Sequence, residues 1–230
     1  MEILVTNRPY TIVVLAMSAD GKIADVQASP ARFGSGVDKA HLEKQIALVD
    51  GVLFGAGTLR AYGTTLMISD PELLEQRELQ GKKSQPTHIV CSGSGKIDPK
   101  LRFFQQPVPR WLFTTIKGSQ IWQGKREFHK VFAIKMLEEG INWVAAGEKL
   151  AELGLQKVAV LGGGKLVASL LEADLVDEFW LTVCPLILGG ENAPSPVAGA
   201  GFLANLAPKL QLLSVKTVDQ EVFLHYRLQR

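Results

Sequence analysis

With 230 residues, 47% of them apolar, the chain can bury the core of one large α/β domain or two small ones. Its 25 basic and 23 acidic residues are spread along the length and leave a net charge of +2, which excludes the basic stripe of a nucleic-acid binder and the composition of a disordered chain. No apolar run could span a membrane, no signal peptide is visible, and Cys91 and Cys184 lie far apart, so the expected setting is cytoplasmic, with no disulfide framework and no metal site.

Residues 1–7 read as an extension and 8–230 as a single domain. Apolar runs rich in β-branched residues predict strands at Tyr10–Ala16, Gly51–Gly55, Thr87–Cys91, Trp111–Thr114, Lys130–Ile134, Lys157–Leu161 and Phe179–Cys184. Helices are predicted between them at Asp38–Val49, Pro71–Leu79, Ser119–Lys125, Asn142–Leu153 and Lys165–Ala173, the first with Ala40, Ile46, Ala47 and Val49 facing inward. Because strand and helix alternate, the sheet should be largely parallel and flanked by helices. The end of the chain differs: Leu210–Val218 and Glu221–Leu228 alternate apolar and polar residues around Asp219-Gln220, which predicts an antiparallel hairpin. Its apolar positions Val222, Leu224, Tyr226 and Leu228 need cover, and a homodimer is expected.

Twice an apolar strand stops at glycines before a helical stretch. In Val158-Ala159-Val160-Leu161-Gly162-Gly163-Gly164-Lys165 the turn brings bare backbone N–H groups to a helix's positive end, the arrangement that receives a diphosphate; a plain strand-to-helix turn is the alternative. The run is neither a full G-x-G-x-x-G nor a Walker motif. In Phe54-Gly55-Ala56-Gly57-Thr58-Leu59-Arg60 a hydroxyl and a guanidinium follow a strand's carboxyl end, where ligands of open α/β sheets collect. Arg60 there is a candidate to hold a phosphate or carboxylate, or is an ordinary surface arginine. Asp20, in Met17-Ser18-Ala19-Asp20-Gly21-Lys22-Ile23-Ala24, is the one candidate for a polar catalytic or orienting role, set against a simple Asp-Gly turn.

Together with Arg8-Pro9-Tyr10, Ser169-Leu170-Leu171-Glu172-Ala173-Asp174 and Pro185-Leu186-Ile187-Leu188-Gly189-Gly190, these segments resemble the reductase domain of the bacterial riboflavin-pathway deaminase/reductase and the stand-alone pyrimidine reductases, a branch of the dihydrofolate-reductase-like fold. The resemblance implies an NADPH-dependent reductase that opens the ribose of 5-amino-6-(5-phosphoribosylamino)uracil, a small phosphorylated pyrimidine, to its ribityl form. The cofactor supplies the hydride, so neither a nucleophile nor a metal is called for. By position the resemblance implies cofactor contacts at Ala16, Phe33, Thr58 and Ser92, with Lys96 near the adenosine end. It implies further contacts at Gly162, Gly163, Gly164, Lys165, Leu166 and Val167 in the run leading to Ser169, and a substrate contact at Leu66. Three family positions depart: Tyr62 and Gly63 stand where two carboxylates are usual, and Leu161 stands where a glutamate is usual. A reductase of the same fold acting on a dihydropterin, dihydrofolate or other heterocycle, and a non-catalytic NADP-binding dimer, are the alternatives. The zinc-deaminase signature is missing, so the preceding deamination is expected of another polypeptide.

Overall fold

The structure, a computed structural model, describes residues 7–30, 32–137 and 140–230; the extension expected at 1–7 lies, apart from Asn7, outside the described residues. Among the described residues eleven strands and six α-helices follow in the order β1 (Tyr10–Ser18), α1 (Gly36–Ala47), β2 (Gly51–Gly55), α2 (Ala56–Tyr62), α3 (Pro71–Leu79), β3 (Thr87–Ser92), β4 (Arg110–Thr114), α4 (Ile116–Gln120), β5 (Lys130–Ala133), β6 (Met136–Leu137), β7 (Gly140–Ile141), α5 (Trp143–Glu152), β8 (Lys157–Val160), α6 (Gly164–Glu172), β9 (Glu178–Cys184), β10 (Lys209–Val218) and β11 (Glu221–Gln229).

Nine strands form one sheet in the order β10-β11-β9-β1-β8-β2-β3-β4-β5. All neighbours from β9 to β5 are parallel, while β11 is antiparallel to both β9 and β10. The expected α/β domain with a terminal hairpin is the observed one. Successive side chains of a strand point to opposite faces, so the continuous apolar runs feed two layers. Val13, Leu53 and Val160 pack with Leu150 of α5 and Val167 and Leu170 of α6. Ile12, Val14, Val52 and Phe54 pack with Ile46 of α1 and Leu59 of α2 on the other face. Full burial of each such side chain contributes roughly 1.5–3 kcal/mol, which disfavours a one-residue slip of register.

That register decides where the site forms. Val160 stands level with Val13 on one side and with Leu53 on the other. Two residues further along, Gly162 and Gly55 leave the carboxyl edge beside Leu15, where β1 still runs on to Ser18, and Gly55 N–H donates to Gly162 O at 3.0 Å.

Several elements depart from expectation. The helix expected beyond the glycines after β2, α2, already begins at Ala56 and takes Gly57 into its first turn: Leu59 is fully buried and anchors it, and Gly63 ends it at φ +68°. Helix α4 starts at Ile116, three residues early, because Thr115 caps it by accepting from Gly118 N–H. The β6–β7 pair was not anticipated. In α1 Ala40 is exposed, whereas Glu43 and Gln45 are buried. Glu43 is satisfied there by accepting from the backbone N–H groups of Ser69 and Asp70 at the start of α3.

Candidate active site

The carboxyl ends of β1, β2 and β8 open into a cleft of about 820 Å³, within the range of about 300–1,000 Å³ usual for small-molecule sites. Its walls are Val14–Ala16 of β1, the β2–α2 and β8–α6 junctions, Asp38 and Leu42 of α1, and parts of the 23–29 and 191–199 loops.

Helix α2 begins directly at the end of β2 and α6 follows the end of β8 after three residues, and neither has a side-chain cap. In α6 the amides of Leu166 and Val167 both donate to Gly163 O. No side chain caps the first amides of either helix, among them that of Gly57 in α2 and those of Gly164 and Lys165 in α6. The uncapped positive ends of two adjacent helices can receive an anion.

The glycines of these junctions do different work. Gly162 has φ +103°, a region other residues avoid. A Cβ on Gly164 would stand 2.2 Å from the carbonyl oxygen of Ser195, and Ala198 N–H donates to Gly164 O at 3.1 Å, so this glycine lets the 191–199 loop lie across the start of α6. A Cβ on Gly163 would meet Thr58 Oγ1 at 3.5 Å, an ordinary contact. Gly57 alone of these lining glycines has nothing within 4 Å of its Cβ position: its backbone faces the open cleft.

Of the residues singled out in the sequence, Ala16, Thr58, Arg60, Gly162, Gly163, Gly164, Lys165 and Leu166 line the cleft together. Val167 is fully buried in the layer between α6 and the sheet. Leu66 packs against the opposite core layer, and Phe33 is half-buried outside the lining. Ser92 is buried at the end of β3, where its Oγ accepts from Gly95 N–H at 3.1 Å; Lys96 is exposed, and neither lines the cleft.

Asp20 also lies outside the lining. Its carboxylate accepts from Ser18 Oγ at 2.5 Å, Leu188 N–H at 3.1 Å and Gly189 N–H at 2.7 Å, tying the end of β1 to the loop after β9. These bonds, that of Ser18 first, lower its pKa to about 2, so it is an anion at neutral pH.

Asp38 was not singled out in the sequence. It lines the cleft half-buried, accepts a hydrogen bond from Thr182, and has its pKa raised by burial and then by the negative charge of Glu221. Glu221 is 4% exposed and accepts from Ser35 N–H (2.8 Å) and Ser35 Oγ–H (2.6 Å), which fastens the start of α1 to β11. The only local signal was an acid in a helix's first turn, which any helix favours.

The sequence profile of the RibD C-terminal domain family matches residues 9–224. The chain is similar to the 2,5-diamino-6-ribosylamino-4(3H)-pyrimidinone 5′-phosphate reductase of Archaeoglobus fulgidus, with 30% identity over 199 residues, 85% of this chain and 89% of that protein. Its fold is that of Acinetobacter baumannii RibD, with a TM-score of 0.77 at 18% identity over 98% of this chain; the chain spans 59% of that longer protein. The dihydrofolate reductase of Enterococcus faecalis shares the fold more distantly, with a TM-score of 0.52 at 14% identity, covering 96% of this chain and 97% of that one.

Proposed function

The chain belongs to the RibD C-terminal domain family, and from that premise we propose that it is an NADPH-dependent reductase of riboflavin biosynthesis. Its reaction would open the ribose of a ribosylamino-pyrimidine 5′-phosphate to the ribityl chain. The observation that carries the reading is the pair of uncapped helix starts, α2 and α6, meeting at one cleft. A diphosphate supplies acceptors at both helix starts, where no side chain does. The named activity of the Archaeoglobus relative and the NADP(H) complex of the Enterococcus reductase support the substrate and cofactor.

In this reading the amides of Gly57, Gly164 and Lys165 hold the dinucleotide's phosphates, and Thr58 Oγ1 and Ala16 border its path. When bound, reduced nicotinamide supplies the hydride. Arg60, exposed at the cleft edge, would hold the substrate phosphate by a bidentate fork. The 191–199 loop, latched to Gly164, limits water at the start of α6. Asp20 takes the orienting part, holding Leu188 and Gly189 against the end of β1. The two free buried thiols agree with a cytoplasmic setting. The proposal includes a homodimer: β10 is the outermost strand and exposes Leu210, Leu212 and Val215, a surface a second copy would cover.

The test is NADPH oxidation with the diamino-pyrimidinone phosphate, with 5-amino-6-(5-phosphoribosylamino)uracil and with dihydrofolate. Turnover of either pyrimidine is the expected result. Turnover of dihydrofolate alone, or of none, refutes the assignment.

A further inference from the structure

Two acids line the cleft, and they are unlike. Glu191 is exposed in the loop after β9, whereas Asp38 is half-buried and held from several sides. Thr182 donates to its carboxyl from β9. Thr182 stands level with Ala16 of β1, itself part of the cleft wall. A Cβ on Gly34 would fall 2.2 Å from Asp38 Oδ2, so the carboxyl folds back into space that only a glycine leaves. One helical turn earlier Ser35 is bolted to Glu221. The carboxyl of Asp38 is thus fixed in place while its residue borders the cleft.

Hydride reduction at the anomeric carbon of a ribosylamine leaves an electron pair on the ring oxygen, which needs a proton, and most acutely where water is excluded. Of the other ionisable lining residues, Arg60 and Lys165 are bases, Glu191 is exposed to solvent, Tyr62 stands at the last position of α2, and no histidine lines the cleft among the described residues. We propose that Asp38 is a catalytic residue of this cleft, the acid that protonates the ribose ring oxygen as the ring opens.

This rests on the reductase reading above. The step balances as follows. A hydride with its two electrons leaves a dihydronicotinamide and forms the C1′–H bond. The C1′–O4′ bond breaks with its electron pair passing to O4′, and the proton of the Asp38 carboxyl forms the O4′–H bond. The dihydronicotinamide is oxidised, the sugar carbon is reduced, and the Asp38 carboxylate regains a proton from water.

The surroundings favour an acid that keeps its proton. Burial and the charge of Glu221 on β11 raise the Asp38 pKa, with the Thr182 hydrogen bond opposing them. Cys184 on β9 also faces it, and burial first, with both acids adding, pushes that thiol up to about 12, so it stays neutral. Arg60 and Tyr62 on α2, Lys165 on α6 and Glu191 stand elsewhere around the cleft.

The test compares wild type, Asp38→Asn and Glu221→Gln, with circular dichroism verifying the fold. In wild type kcat/KM falls as pH rises through the raised carboxyl pKa. Asp38→Asn lowers kcat by about 10²–10⁴-fold and flattens that limb, with NADPH affinity within about threefold. In the ligand-free protein the infrared stretch of a protonated carboxyl persists above the ordinary aspartate range, is absent from Asp38→Asn, and titrates at lower pH in Glu221→Gln. Asp38→Asn with wild-type turnover and pH profile, or with the infrared band intact, overturns the proposal and leaves the reductase reading standing. A wild type that reduces neither pyrimidine refutes the reductase reading, and the donor role falls with it.

Discussion

Replacing Gly57 with alanine should tighten the fold and loosen the cofactor. Gly57 is the second residue of α2, has an ordinary negative φ, and has no atom within 4 Å of its Cβ position. Alanine therefore fits without strain, and the loss of chain freedom in the unfolded state contributes about 0.4–1 kcal/mol of stability. For a domain of this size that raises Tm by about 1–4 °C. The same methyl projects into the cleft where a phosphate would rest against the amide of Gly57. If it pushes the phosphate away and breaks one charge-assisted hydrogen bond of about 1.5–3 kcal/mol, Kd for NADPH weakens about 10- to 150-fold. Thermal melts without ligand and fluorescence titrations with NADPH read the two effects separately. A stabilised variant that binds NADPH as tightly as wild type would refute phosphate binding at this helix start.

Gly164→Ala should fail in the other direction, destabilising the ligand-free protein by about 1–3 kcal/mol as the Ser195 carbonyl is pushed aside, and limited proteolysis should then cut faster within 191–199. Arg77→Met removes a guanidinium that is 2% exposed and donates to the carbonyls of Ala47, Val49 and Lys83; those unmet acceptors should cost about 3 kcal/mol or more, a fall of about 6–12 °C by calorimetry. Asp20 is an acid with a lowered folded pKa, so its contribution to stability is present above the ordinary value of 3.8 and is lost as pH falls towards about 2. The Tm difference between wild type and Asp20→Asn should accordingly shrink across that window, and a difference constant from pH 5 to pH 2 would contradict the clamp at Leu188 and Gly189.

The strands were legible because buried parallel strands are continuous apolar runs, and Tyr10–Ala16 or Thr87–Cys91 need no partner to be seen. Helix α1 was legible in extent but not in facing: Glu43 looks solvent-bound until the start of α3, nearly thirty residues on, offers it backbone donors. Helix α2 was expected only beyond its glycines, since the burial of Leu59 that holds its first turn is a long-range fact. At the cleft, Thr58, Arg60 and Gly162 to Leu166 stood out by local pattern and do come together. Val167 was named by the family resemblance alone; the turn of α6 carries its side chain onto the sheet.

Short-range chemistry is what the residue order expresses alone: periodicity, glycine turns and terminal alternation determine an α/β domain, its strands, its hairpin and two anion-receptive junctions. Which strands lie together is a matter of packing between segments far apart in the chain. Residue order is silent on β8 lying between β1 and β2, and on Thr182, Gly34 and Glu221 meeting around Asp38. Those neighbours are selected by the free energy of the whole buried core, and so only the tertiary structure could turn two glycine junctions and an ordinary first-turn aspartate into one cleft.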